Sequence, residues 1–172
     1  MAEWEEVLAE LAAVRGAELG RYGFLLTGDR SEAADLVQEA LVRVFAGPRR
    51  SWRSAEAERY VRRTMLNRFL DLRRRKVRYD ALVPRVAEGS VSADHSEQTA
   101  DRLRLLGALD VLSPTQRACV VLRYYEDLSV AAVADRIGCS EGNAKRHLRD
   151  GLLRLGAALA ETSHDREEGT NA

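Results

Sequence analysis

Between Val61 and Leu72 the apolar side chains Val61, Met65, Phe69 and Leu72 return at intervals of three and four residues. That spacing lines one side of an α-helix and would scatter across both faces of a strand. The same interval runs through Ala33, Val37, Ala40/Leu41 and Val44/Phe45, and again through Ala144, Leu148, Leu152 and Leu155. Aromatic residues make up only 6% of the chain while Ala, Leu, Arg and Glu recur throughout, a usage that favours straight-chain helix formers over the β-branched and aromatic residues that suit strands. The fold class read from this pattern is all-α. With 45% hydrophobic residues and three prolines in 172 positions, the chain can order the core of one medium domain or of two small ones.

Local punctuation divides the helical pattern. The first 78 residues read as three or four helices. Thr27-Gly28-Asp29 interrupts the first run, and Asp29 with Glu32 three residues on has the form of a helix-start cap. Gly47-Pro48 ends the next helix, and a loop from Gly47 to Ser54 leads into the long helix of the Val61 stripe, whose arginines lie mostly elsewhere on the cylinder. On that helix Arg63, Asn67, Leu70 and Arg74 share the face opposite the stripe. Residues 79–100, with Pro84, Gly89 and the run Ser90-Val91-Ser92-Ala93-Asp94, lack periodicity and read as a flexible linker between two domains. Helical spacing resumes from Asp101 through Leu112. Ser113-Pro114-Thr115-Gln116 then supplies a cap serine, a proline at the first helical position and a glutamine at the capping-box position. The second domain spans 101–160, and 161–172 is a polar tail expected to be disordered.

Charge excludes some partners and suggests others. The totals cancel at 27 basic and 27 acidic residues, but they are unevenly placed. Residues 1–45 hold nine acidic and four basic side chains, residues 60–78 eight basic and one acidic, and residues 80–101 five acidic and one basic. Separate surfaces for separate partners follow, the central block offering phosphates a landing site. No apolar run approaches the roughly 20 residues that cross a bilayer, and the acidic start Met1-Ala2-Glu3-Trp4-Glu5-Glu6 lacks a basic flank, so neither membrane insertion nor a signal peptide is expected and the protein reads as cytoplasmic. Cys119 and Cys139 stand alone and far apart in sequence, a pattern that supports neither a disulfide framework nor a zinc module.

The sharpest local pattern runs from Leu128 to Leu155. Ser129 can cap a short helix burying Val130, Val133, Ala134 and Ile137. Gly138-Cys139-Ser140 makes a tight turn, and Ser140 caps a second helix held by Ala144, Leu148, Leu152 and Leu155. This is a helix-turn-helix. On the second helix Asn143, Arg146, Arg149 and Asp150 fall roughly opposite the apolar stripe, with Lys145 and His147 on its flanks. Such a face suits the major groove, where arginine binds guanine in bidentate fashion and amides or carboxylates read adenine or cytosine edges. A helical hairpin with a solvated charged face would look similar; the basic block upstream tilts the reading towards DNA.

Leu112-Ser113-Pro114-Thr115-Gln116-Arg117-Ala118, followed by Leu122-Arg123-Tyr124-Tyr125-Glu126-Asp127-Leu128-Ser129 and then Val133-Ala134 through Cys139-Ser140-Glu141-Gly142, resembles region 4 of sigma-70-family factors. Leu26-Thr27-Gly28-Asp29 and Ala34-Asp35-Leu36-Val37-Gln38-Glu39-Ala40 resemble regions 2.1 and 2.2, and the basic helix from Tyr60 to Arg75 resembles regions 2.3 and 2.4. Three blocks in the family's order cover nearly the whole chain, and their wording is similar to an actinobacterial, SigE-like branch of the extracytoplasmic-function (ECF) group. The resemblance implies two small helical domains joined by a flexible tether, in a sigma factor that binds core RNA polymerase through its β′ clamp and β flap. Promoter DNA is the other implied partner, an anti-sigma factor a possible third, and no catalytic residue, cofactor or metal is implied.

The resemblance also distributes roles. Asp35, Gln38 and Glu39 would offer the polymerase clamp a polar, acidic edge, although a solvated helix face would look the same. Arg62, Arg63, Arg73, Arg74 and Arg75 would hold the phosphates of a melted −10 strand, Asn67 would read an extruded base, and Leu70 would lie beside it. Trp52 would either stack on a base or plug the core. Asn143, Lys145, Arg146, His147, Arg149 and Asp150 would meet the −35 duplex. Two departures stand out: Gly142-Asn143-Ala144 occupies the place of a common Gly-Thr-Val, and Asp150 stands where a basic residue is common. Two other readings compete. A helix-turn-helix regulator working without polymerase core leaves the arginine-rich helix unexplained and would usually require a dimer. A nuclease lacks a site, since His95, His147 and His164 fall in the linker, the recognition helix and the tail.

Overall fold

The structure, a computed structural model, describes residues 3–46, 53–82 and 100–168. All the regular structure among them is helical: α1 (Glu3–Thr27), α2 (Arg30–Phe45), α3 (Ser54–Leu82), α4 (Ala100–Leu109), α5 (Pro114–Tyr124), α6 (Val130–Ile137) and α7 (Glu141–Glu168). Two compact units divide the chain, Met1–Glu88 and Gly89–Ala172.

In the first unit α1, α2 and α3 pack pairwise on one another. Leu11, Leu19, Tyr22 and Leu26 of α1 meet Ala33, Leu36, Ala40 and Val44 of α2 and Val61, Met65, Leu66 and Phe69 of α3 in a common core. Each fully buried leucine in such a core contributes about 1.5–3 kcal/mol. Asp29 starts α2 as expected, its Oδ1 accepting from the Glu32 N–H at 2.8 Å. Gly23 sets how closely the helices approach: a Cβ there would lie 3.2 Å from both the Ala33 carbonyl oxygen and the Met65 Cε.

The buried faces differ from the expected stripes in a consistent way. On α2 the core residue is Leu36 rather than Val37, which is half-buried on a second face. On α3 the core arc is wider than one stripe because the helix packs against two partners, so it takes in Leu66 and Leu70 as well. Leu70, expected on the exposed face, is 5% exposed, while Leu72, expected in the core, is 42% exposed. α3 also continues to Leu82, so the first four residues of the expected linker are helical.

In the second unit α7 packs against α4, α5 and α6. α4 stops at Leu109, short of the expected Leu112. The Ser113 capping box is complete: Ser113 Oγ accepts from the Gln116 N–H at 3.3 Å and Gln116 Oε1 accepts from the Ser113 N–H at 3.1 Å. Ser129 caps α6 without a reciprocal partner, its Oγ accepting from the Ala132 N–H at 3.2 Å. α7 differs most from its expectation. Leu152 is exposed and Leu155 half-buried, because Gly151 is the residue that α7 buries against α5, 3.3 Å from Val120 Cγ2 for an added Cβ. The helix then runs on to Glu168, through eight residues of the tail expected to be disordered. Arg104 of α4 reaches the Leu159 carbonyl at 3.4 Å, and no glycine or proline lies between Gly156 and Gly169 to end the helix.

Candidate nucleic-acid and polymerase interfaces

The turn that aims the second helix of the helix-turn-helix is fixed at two points. Gly138 closes α6 at φ 76°, a left-handed conformation that glycine adopts without a Cβ penalty. Two residues later Ser140 Oγ accepts from the Asn143 N–H at 3.2 Å and starts α7. Val133, Ala134 and Ile137 of α6 and Ala144 and Leu148 of α7 are buried beneath this turn. At 100° per residue, the direction opposite Ala144 and Leu148 is shared by Arg146 and Arg149, with Lys145 to one side and Asn143 and Asp150 to the other. Asn143, Lys145, Arg146 and Arg149 are all exposed, whereas His147 and Asp150 are partly covered. Asp150 has a partner already: Nε and Nη2 of Arg149 both lie 3.1 Å from its Oδ1. The carboxylate expected to read cytosine thus stands, without DNA, in a solvated pair with its neighbour.

On α3 the exposed arc holds Arg63, Asn67, Arg74 and Arg78 in one line, with Arg75 beside it. Of the five arginines expected to clamp phosphates, three stand on this arc and two do not. Arg62 braces α1 against α3: its Nη2 lies 2.8 Å from Glu58 Oε1 and 3.7 Å from Glu18 Oε2, and its guanidinium stacks 5.3 Å from the Tyr22 ring centre. Arg73 joins α3 to α2, with Nη2 2.6 Å from Glu32 Oε2 and the guanidinium 5.4 Å from the Phe69 ring centre. Leu70, in the core, cannot face a strand. Arg74 is 3.5 Å from Asp71 Oδ1 in a solvated pair. Trp52 lies outside the described residues.

α2 presents two faces besides its core face. Asp35 and Gln38 are exposed, but Glu39 is half-buried and bridges two arginines, Arg68 Nε at 2.7 Å and Arg43 Nη2 at 3.0 Å. On the side away from α3, an open apolar groove of about 800 Å³ runs between α1 and α2 past Leu8, Ala12, Gly16, Val37, Leu41 and Phe45. The sequence reading missed this groove. Its signal was present: the spacing of Ala12, Gly16 and Gly20 gives α1 a small-residue face, and Val37 and Leu41 read equally well as core. Arg68 and Arg78 were missed as well, hidden in a helix with arginine on nearly every side.

No group of three histidine, cysteine, aspartate or glutamate side chains that could hold a metal is found among the described residues. Both cysteines are free thiols. Burial pushes the Cys119 thiol up to about 12, with the nearby Cys139 adding to the rise. No helix among the described residues is long and apolar enough to cross a membrane.

Comparison with known proteins places these surfaces within two family regions. Residues 17–79 match sigma-70 region 2 and residues 102–155 match sigma-70, region 4. The chain is 35% identical over 146 residues to the RNA polymerase sigma-E factor of Streptomyces avermitilis, covering 85% of this chain and 81% of that one. It is 31% identical over 149 residues to the ECF RNA polymerase sigma factor SigL of Mycobacterium tuberculosis, covering 84% of each. A solved structure of the sigma factor RpoE in complex with the anti-sigma factor NepR, from Bartonella quintana, superimposes with a TM-score of 0.66 at 25% identity, over 88% of this chain and 95% of that one.

Proposed function

This chain belongs to the sigma-70 family of RNA polymerase sigma factors, in its extracytoplasmic-function group, and on that premise we propose a division of labour between its two units. The chain is a sigma factor that binds core RNA polymerase and directs initiation at promoters. Its first unit docks on the polymerase and captures the melted −10 strand; its second grips the −35 duplex. The chain works by binding, in the cytoplasm, and leaves RNA synthesis to the enzyme it recruits.

The observation that carries this reading is that each matched family region contains one exposed arc of cations. Arg63, Asn67, Arg74 and Arg75 project from α3, and Lys145, Arg146 and Arg149 from α7. The α3 arc suits an opened strand: arginines hold successive phosphates while the Asn67 amide can pair with the edge of an unstacked base. The α7 arc suits a closed groove, with Arg146 at the centre of the helix face for a bidentate contact to guanine. Asp150 serves Arg149 by holding its guanidinium rather than by touching a base.

For the polymerase, the apolar groove between α1 and α2 with Gln38 in its lining, and the exposed Asp35 on the neighbouring face of α2 towards α3, offer a surface that fits a basic, amphipathic coiled-coil such as the β′ clamp. An apolar groove that size left open to water on a small helical unit calls for a partner. The β flap is the expected contact of the second unit. By likeness to the Bartonella complex, an anti-sigma protein is the partner that would hold the free chain inactive.

Reconstituted transcription tests the reading. Core polymerase with this chain on genomic DNA should give specific start sites. Arg146→Ala and Asn67→Ala should each reduce initiation by about tenfold or more, the loss of one good base contact. A chain that neither co-purifies with core nor directs initiation from any template would overturn the proposal.

A further inference from the structure

Glu39 occupies an unusual position on α2. It follows Gln38 on the edge proposed to meet the polymerase, yet its carboxylate faces inward, with one oxygen held by Arg68 Nε of α3 at 2.7 Å and the other by Arg43 Nη2 of its own helix at 3.0 Å. Arg68 is only 19% exposed in this arrangement. Along α3 it stands at the rim of the exposed arc, seven residues before Arg75 and therefore about 10 Å away on the same line. A single carboxylate thus ties an arginine at the border of the strand-binding face to the polymerase-docking edge.

Resting on the function proposed above, we propose that Arg68 is a further strand-binding residue, held in reserve by Glu39 and released when the polymerase docks. A basic side chain of the polymerase that pairs with Glu39 competes with Arg68 for the same oxygen. Once displaced, the Arg68 guanidinium turns about its own stem into the exposed arc, where its neighbours are Arg75 and Asp71, the latter already paired with Arg74 at 3.5 Å, and where a DNA phosphate can bind it. The free chain then presents one cation fewer to single-stranded DNA than the polymerase-bound chain does, which couples docking to strand capture. The pair suits a switch because it is partly solvated, so its strength is close to that of the competing contacts.

Two measurements on the full chain test this. The first titrates the free protein with a fluorescent fifteen-nucleotide oligothymidine, which reports phosphate contacts without base readout. Glu39→Gln should bind it about three- to fivefold tighter than the unaltered chain. The double variant Glu39→Gln/Arg68→Ala should lose that gain, and Glu39→Gln/Arg68→Lys should keep it. A gain that survives Arg68→Ala would come from the lost negative charge alone and would overturn the proposal, as would no gain in a Glu39→Gln protein that melts normally by circular dichroism. The second measures salt dependence of promoter binding by holoenzyme, on fragments recovered from the transcription mapping. Arg68→Ala should lower the slope of log affinity against log salt by about 0.7, one single-strand phosphate contact. An unchanged slope with normal core association removes the role of Arg68 and leaves the sigma-factor reading standing; failure of the unaltered chain to associate with core removes both.

Discussion

Asp127 is the one non-glycine among the described residues with a left-handed backbone, at φ 52°. It closes the loop between α5 and α6, and its exposed carboxylate has only a distant ion pair with Arg123, at 3.8 Å. The cost of that conformation is local and steric, so it depends on the branching at Cβ and hardly on charge. Asp127→Gly should leave the thermal midpoint unchanged or slightly raised, whereas Asp127→Val should cost about 1–2 kcal/mol in a denaturant titration. The Cys119 thiol gives a second test with a fixed sign. Burial raises it from 9.0 to about 12, so the folded chain keeps a proton that the unfolded chain gives up. Its contribution to stability is complete below pH 9 and is lost as pH rises from there towards 12. Between pH 8 and 10.5 the unaltered protein should therefore lose more stability than Cys119→Ala, compared by urea unfolding; parallel curves would show that the thiol is not buried. Neither property was visible in the sequence. A left-handed aspartate and a buried cysteine are set by neighbours that only the folded chain supplies, whereas the exposure of Arg146 and Asn67 followed from helical spacing alone.

The elements were legible where their signals are local. Asp29, Ser113, Ser129 and Ser140 cap helices as the sequence indicated, because a capping contact spans only two or three residues. Helix ends without such a signal were misplaced, since α3 and α7 run on until propensity or tertiary contact fails rather than at a marked residue. Faces were harder still. A helix with two partners buries a wider arc than any single stripe, which moved Leu70 inward, and a helix with an apolar face towards solvent mimics a core element, which hid the groove on α2. The cap that matters most for function is Ser140, which stands three residues before Asn143, the first residue of α7 expected to meet DNA, and accepts from its N–H. Ser140→Ala should destabilise the second unit by about 1 kcal/mol. Because fraying would be confined to the first turn of α7, −35 duplex affinity should fall by more than the loss of global stability explains, and hydrogen exchange at Asn143 and Ala144 should quicken while that at Leu148 stays slow. Equal acceleration along the whole helix would locate the effect of the cap elsewhere.

At the scale of the whole molecule, a formal net charge of zero is compatible with DNA binding only if attraction arises from patches and not from the sum. Several of the arginines are paired with carboxylates where they stand: Arg62 with Glu58 and Glu18, Arg68 and Arg43 with Glu39, Arg73 with Glu32, Arg117 with Asp110. The patches proposed to meet phosphate are the exposed arcs of α3 and α7, and each charge on them acts over about one Debye length, 8 Å at physiological salt. Removing a charge should then matter by place. Arg21→Ala, on the exposed side of α1, and Arg146→Ala, on α7, change the net charge equally. In titrations of holoenzyme with −35-containing duplex across a salt series, Arg146→Ala should weaken binding markedly while Arg21→Ala should leave both affinity and salt slope within error. Equal effects would mean that the molecule attracts DNA through its overall field, and a chain with no net charge has no such field to offer at that range.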